Sequence, residues 1–402
     1  MRIFFSAGEP SGDLHGANLI RELRSLDAEV ECVGFGGPRM AAAGSRLLYP
    51  LCSLAVIGFL RVLTNLHRFV MLLWQSNRYF RKHRPDAVVL IDYPGFNWWV
   101  ARRAHAQGIP VFYFVPPQLW AWAGWRIHKM RRYVDHVLCT LQFEEAWYRE
   151  RGVDAKYIGH PYFDELKEQQ LNAAFVEQHQ ERLGPIVGLL PGSRDQEIDQ
   201  NLSTILEAAA YIYSARPDVR FMIACLQPAQ AERVKARLAH CSLPIEVHAG
   251  RTPEIIHLAH SCIAVSGSVS LELLYRRRPT VVLYYVNRPG YFATKMLKTC
   301  RYISLVNLLA DKEVFPEFFS HELNPLSIGG HVIGWLNDYR SYLQVRNELD
   351  RLRQEVQKPG ACRLAAEYLV GNLNPAPGKS EHIAVYDEAI STGGASPLIS
   401  HS

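Results

Sequence analysis

A chain of 402 residues is longer than a single hydrophobic core supports, so two domains are expected. With 48% hydrophobic and 21% charged residues it is neither a disordered nor a fibrous protein, and eight scattered cysteines without a C-x-x-C pair offer no zinc or dithiol redox site. The net charge of +5 makes no case for a nucleic-acid partner, but it is unevenly spread: fourteen Lys and Arg face only Asp86 and Asp92 between Cys32 and Val134.

The first element is a strand, Arg2 to Ser6, running into the loop of "FFSAGEPSGDLHGANLIREL" and then an amphipathic helix. Gly8, Gly12 and Gly16 fit neither the dinucleotide nor the Walker spacing, and Glu9 and Asp13 would repel a bare phosphate. Gly8, Glu9, Ser11 and Asp13 therefore suit the hydroxyl groups of a sugar better. Further strands are predicted at Val30 to Phe35, Ala87 to Ile91, Val111 to Phe114, Val137 to Cys139 and Lys156 to Ile158. Between the second and third lies the acid-free stretch "VIGFLRVLTNLHRFVMLLWQSNRYFRKHRP". Leu66, Phe69, Val70, Leu73 and Trp74 share a helical face flanked by six Lys or Arg, with Ile57, Phe59 and Leu60 in addition. A core helix accounts for the face alone; a basic apolar surface with Phe59, Leu60, Arg61, Phe69, Leu73 and Trp74 at its centre suits an anionic bilayer. Asp92, just past a buried strand in "VVLIDYPGFNWWVARR", is a candidate base or sugar-positioning group, or else a helix N-cap or a partner for a nearby arginine.

A polar helical stretch, 167–182, leads to a second alternation with strands at Ile186 to Leu190, Val219 to Ala224, Ile245 to His248, Cys262 to Val265 and Thr280 to Tyr285. Parallel sheets covered by helices follow, giving an α/β protein of two doubly wound halves with a cleft between them. Ligands in such folds sit beyond the carboxyl ends of the strands. In "PGSRDQEIDQN", Gly192 and Ser193 present backbone amides at a helix start and Arg194 can fork onto a phosphate. In "AVSGSVSLELL", Ser266, Gly267 and Ser268 repeat that logic, with Glu272 placed to accept from ribose hydroxyls; each loop alone is equally a capped turn. With no Walker lysine and no obvious metal cluster, a nucleotide serving as leaving group fits better than one being hydrolysed. The expected boundaries are 1–165, 166–338, a helical 339–371 packing across both domains, and a disordered tail, 372–402, rich in Gly, Pro and Ser. The chain enters a strand at once and has no apolar run near the ~20 residues of a membrane span, so neither export nor membrane integration is expected.

The segments "SAGEPSGDLHGA", "GFGGPRMAAAG", "RPDAVVLIDYPGFN", "LWAWAGWRIHKM", "YIGHP", "LLPGSRDQEI", "VSGSVSLELL" and "YISLVNLLADKEVFPEFF" fall in order from Ser6 to about Phe319. Together they resemble the lipid-A-disaccharide synthase family. The resemblance implies a GT-B fold of two Rossmann-like domains and an inverting hexosyltransferase. It implies UDP-2,3-diacylglucosamine as donor in the second half and 2,3-diacylglucosamine 1-phosphate as acceptor near the first, joined by a β(1→6) bond with release of UDP. It further implies peripheral attachment to the cytoplasmic face of the inner membrane and roles in activity for Asp92, Arg194 and Asn307; no cofactor or metal is expected, and a homodimer is compatible with it. The sequence departs from the family in the proline of "GEP" and in Gly95, where an acid is usual, which leaves Asp92 more isolated as the base. An isomerase of the UDP-N-acetylglucosamine 2-epimerase type would share the fold and turn over a UDP-sugar without acceptor. A non-catalytic lipid or nucleotide binder would leave the UDP-sugar unchanged.

Overall fold

The computed structural model describes residues 1–55, 66–239, 241–265, 267–288, 291, 301–357 and 360–373. Phe59, Leu60, Arg61 and Ser266 lie outside them, as does the tail from residue 374 on.

Alternating apolar runs and helices build two parallel sheets. The first contains β1 (Arg2–Ala7), β2 (Glu31–Phe35), β3 (Arg46–Tyr49), β4 (Ala87–Ile91), β5 (Val111–Phe114), β6 (His136–Cys139) and β7 (Ala155–Tyr157), in the order β3-β2-β1-β4-β5-β6-β7. The second contains β8 (Ile186–Leu190), β9 (Arg220–Cys225), β10 (Ile245–Ala249), β11 (Ser261–Val265), β12 (Thr280–Tyr285) and β13 (Glu317–Ser320), in the order β10-β9-β8-β11-β12-β13. Both are doubly wound. The chain leaves β1 in one direction and returns to its other side as β4, and does the same at β8 and β11, creating one topological switch point per sheet.

Central strands carry apolar side chains on both faces because helices cover both. Phe4, Val88 and Leu90 point into one core of the first domain, and Ile3, Phe5, Val89 and Ile91 into the other. The second sheet divides the same way, with Val187, Leu189 and Ile263 on one side and Leu190, Cys262 and Ala264 on the other.

Two stretches tie the halves together. The helix Tyr162–Glu168 sends Phe163 and Leu166 into the second domain's core. Its Asp164 carboxylate accepts from the backbone N–H of Gly360 (2.6 Å) and of Cys362 (3.0 Å), capping the start of the helix Ala361–Leu373. That helix buries Cys362, Ala365, Ala366 and Leu369 in the first domain, beside the helix Pro10–Leu26. The preceding helix, Tyr339–Val356, buries Leu349 and Leu352 in the second. No helix among the described residues is long and apolar enough to cross a membrane.

Candidate functional site

At the first switch point the loops after β1 and β4 meet. Pairing of Ala7 with Ile91 brings Gly8 and Glu9 beside Asp92. Asp92 and Tyr93 both adopt the left-handed backbone region, φ 44° and 47°, which costs a non-glycine residue of order 1 kcal/mol and persists only where neighbours enforce it. Asn97 does so here. Its Nδ2 donates to the carbonyls of Asp92 (2.7 Å), Ser6 (3.2 Å) and Ile91 (3.2 Å), while Ser6 Oγ donates to its Oδ1 (2.7 Å). The buried Tyr113 hydroxyl donates to the Asp92 carbonyl as well, at 2.7 Å. On the other side the Tyr93 ring lies against Gly8, where any Cβ would collide with it.

The Asp92 backbone is thus pinned while its partly exposed carboxyl is left facing Glu9. Burial, and then the Glu9 charge, raise the Asp92 pKa from 3.8 to about 6, with the Tyr93 N–H opposing them. Near neutral pH such a carboxyl is ionised yet basic enough to take a proton. Ser11 is half-buried on the first turn of the helix Pro10–Leu26. Asp13 is otherwise engaged: its oxygens accept from the backbone N–H groups of Gly37 (3.0 Å), Arg39 (3.0 Å) and Met40 (2.9 Å), holding the short helix Pro38–Ala42. The spacing that suggested a sugar contact does not foresee this long-range cap.

The second switch point gathers the loops after β8 and β11. Gly192 has φ 124°, and a Cβ there would strike Glu197. Glu197 turns back so that Oε2 accepts from the N–H of Ser193 (2.8 Å) and of Arg194 (3.1 Å), and Oε1 meets Arg194 Nη1 at 3.1 Å. An anionic group already sits on the amides that the sequence assigns to phosphate. The Arg194 side chain is 73% exposed, with Glu197 as its ion-pair partner. Gly267 and Ser268 are exposed at the start of the helix Val269–Tyr275.

On that helix Glu272 is buried, with Oε1 accepting from Arg276 Nε (3.0 Å) and Oε2 from the Tyr162 hydroxyl (3.4 Å). Burial raises its pKa and Arg276 opposes the rise. Asn307 is fully buried and saturated: Nδ2 donates to Phe315 O (2.7 Å) and Glu317 Oε1 (2.8 Å), and Oδ1 accepts from the N–H of Val314 and Phe315. All its bonding capacity goes to stapling the helix Leu305–Ala310 to β13, so it reaches a ligand only through the loops it holds. Asn97, Tyr113, Glu197 and Tyr162 were not singled out by sequence. Only Glu197 left a signal there, three residues after Arg194 at a helix start, the capping-box spacing.

The helix Leu66–His83 packs on the first domain through Leu72, Ser76, Tyr79 and Phe80, with Phe69 and Leu73 half-buried beside them. Leu66, Val70, Met71 and Trp74 face outward, Trp74 at 61% exposure with Arg78 over its ring at 5.5 Å. On the neighbouring helix, Pro94–His105, Trp99 is also exposed and carries Arg103 at 5.9 Å.

A family model described as lipid-A-disaccharide synthetase matches residues 3–369. The lipid-A-disaccharide synthase of Coxiella burnetii (strain CbuK_Q154) is 34% identical over 92% of this chain and 98% of its own. That of Myxococcus xanthus (strain DK1622) is 33% identical over 93% and 98%. Among solved structures, the S. aureus MnaA-UDP co-structure aligns with TM-score 0.62 at 13% identity, over 93% of this chain and 97% of its own. The glycotransferase of kitacinnamycin aligns with TM-score 0.60 at 17% identity, over 93% and 99%. Those two share the GT-B architecture of paired parallel-sheet domains. Matched over almost its whole length, the chain belongs to the lipid-A-disaccharide synthase family, the glycosyltransferases that form the lipid A disaccharide.

Proposed function

We propose that the enzyme transfers 2,3-diacylglucosamine from UDP-2,3-diacylglucosamine to 2,3-diacylglucosamine 1-phosphate, making a β(1→6) bond and releasing UDP. The observation that carries this reading is Asp92: a carboxyl on a pinned left-handed turn at the first switch point, with its pKa raised to about 6. In the reaction the acceptor's 6-hydroxyl attacks the anomeric carbon from the face opposite UDP. Its proton passes to Asp92 as the new C–O bond forms. The bond to the diphosphate oxygen breaks, and that oxygen keeps the electron pair.

Charge then grows on the departing diphosphate. The Ser193 and Arg194 amides and the Arg194 guanidinium are donors suited to it, once Glu197 gives way. Gly267 and Ser268 serve the same diphosphate, and Ser266, outside the described residues, is assigned with them from the sequence. Glu272 accepts from the ribose hydroxyls once they displace the Tyr162 hydroxyl from Oε2. Glu9 and Ser11 line the sugar side. Asp13, Asn97 and Asn307 act as positioning residues through the loops they hold.

Both substrates carry acyl chains, so the protein works at the surface of an anionic bilayer, the cytoplasmic face of the inner membrane. Leu66, Val70, Trp74 and Trp99 enter the interface, the half-buried Phe69 and Leu73 support them, and the surrounding arginines hold lipid phosphates. The reading is tested by incubating the full chain with both substrates and analysing the products by mass spectrometry. A tetra-acylated disaccharide monophosphate together with UDP is expected. Epimerised UDP-sugar without acceptor, or unchanged UDP-sugar with it, would overturn the assignment.

A further inference from the structure

Two strands away from the second switch point, the helix Ala173–Gln180 packs against the outer edge of the second sheet. On the edge strand β10, Glu246 and His248 are two residues apart and so point to the same face. His179, 2% exposed, reaches them from the helix. Its Nδ1 is 3.8 Å from Glu246 Oε2, and His248 Nε2 is 3.7 Å from the same oxygen. Both distances are too long for hydrogen bonds, and neither nitrogen has another partner. One buried imidazole and one mostly buried imidazole therefore aim unsatisfied nitrogens at a single carboxylate oxygen, an arrangement that costs free energy as it stands.

We propose that His179, Glu246 and His248 form a binding site for a divalent transition-metal ion, zinc by preference, which clamps this helix onto the sheet edge. The three ligand atoms lie within 4.8 Å of one another. A tetrahedral ion with ligands at about 2.0–2.1 Å needs them about 3.4 Å apart, so each imidazole nitrogen closes on the carboxylate oxygen by a few tenths of an ångström and the two nitrogens, within 4.8 Å of each other, close to the same separation. Two imidazoles and one carboxylate suit zinc and its neighbours rather than magnesium or calcium, which prefer oxygen. The fourth position would be taken by water.

The surroundings set the ligands' protonation. Arg182 pairs with the other Glu246 oxygen at 2.7 Å and fixes its orientation. Burial disfavours protonation of both rings, the Glu246 charge favours it, and the smaller contributions of Arg182 and Arg220 beside His179 and of Lys235 near His248 add to burial. Neutral imidazole is the form that binds metal. The same cations oppose a loosely held hydrated ion, so occupancy depends on direct coordination.

The test uses the full chain stripped with a chelator and does not read transferase activity. Zinc uptake is measured by competition with a chromophoric chelator, and cobalt(II) is added separately as a spectroscopic probe. One equivalent of zinc bound at micromolar concentration is expected, with intense visible bands of four-coordinate cobalt and a melting midpoint that rises with zinc. The double variant His179→Ala/His248→Ala should bind at least about 100-fold more weakly. Should that variant fail to fold, His248→Gln alone must remove the cobalt bands. No uptake by the native chain would overturn the proposal. So would unchanged uptake by a variant, which would place the ion among the other histidines of the sixteen.

Discussion

Replacing Asp92 by Asn tests its chemistry and its energetics together. A carboxyl whose pKa rises on folding binds its proton more tightly in the native state. Stability is therefore greatest below the unfolded value of 3.8 and falls as pH rises towards about 6, above which it levels off. That rise corresponds to about 3 kcal/mol against the ionised form, an upper figure because the side chain is partly exposed; about 1 to 3 kcal/mol is the working range. Asn keeps the shape and can still accept from the Tyr93 N–H, but carries no charge. The variant should therefore be more stable than the native protein at pH 8, and the gain should shrink by about 1 kcal/mol at pH 5. In a domain of this size that gain appears as about 2–4 °C per kcal/mol in the melting midpoint, measured by calorimetry at both pH values. Turnover at pH 8 should fall by about 10²-fold or more. A variant that melts no higher than native at pH 8 would refute the burial argument, and near-native turnover would refute the role as base.

Glu9→Gln removes the second cause of the raised Asp92 pKa, so the acidic limb of kcat/KM should move down in pH while staying above 3.8, because burial remains; a limb that stays put would detach Glu9 from Asp92. Arg194→Ala should lower kcat by about 10²-fold with a smaller change in KM, as for loss of a donor aimed at the leaving group, and a variant defective only in KM would make Arg194 a binding residue. Val70→Ser with Trp74→Ser should weaken binding to anionic vesicles about tenfold or more and leave the melt unchanged, since both side chains already face water. Native binding should itself weaken with salt; co-sedimentation measures both, and unchanged sedimentation of the variant would move the contact elsewhere.

The interior strands were legible because covering helices on both faces makes each a continuous apolar run. Ala87 to Ile91, Val111 to Phe114, Ile186 to Leu190 and Thr280 to Tyr285 run from first to last residue as expected. The strands β3 and β13 were not. Each is four residues at a sheet edge, and none of those residues is buried, so no hydrophobic run marks them. The Leu66–Trp74 stripe shows the limit of periodicity in another way. Its residues share a side of the helix, but the buried face is centred on Leu72, Ser76, Tyr79 and Phe80, so the stripe straddles the boundary between core and solvent. At the site, the loops were legible because strand-to-helix turns with glycine and small residues recur at the carboxyl ends of strands. The partners of Asp13 and Asn307 were not, since each bonds to backbone whose position depends on the finished fold.

The two switch points share a topology but are dressed oppositely, and the proposed reaction would account for the difference. Breaking a glycosyl–diphosphate bond calls for a proton acceptor on one side of the anomeric carbon and donors on the other. Placed in one loop, Asp92 and Arg194 would pair, and the carboxyl would lose the raised pKa that suits it to the proposed role of base. Separation onto two domains leaves Asp92 with a like charge, Glu9, for company. It also leaves the second loop as a preformed anion hole, occupied by Glu197 through the Ser193 and Arg194 amides. With that carboxylate held on the amides, the loop keeps its donors aligned, and little reorganisation would be left to do if a diphosphate replaced it as proposed. Glu197 lies on the chain three residues beyond Arg194, so displacing it shifts a side chain rather than a helix. The helix dipole that favours Glu197 would then be available to the leaving group of the proposed reaction.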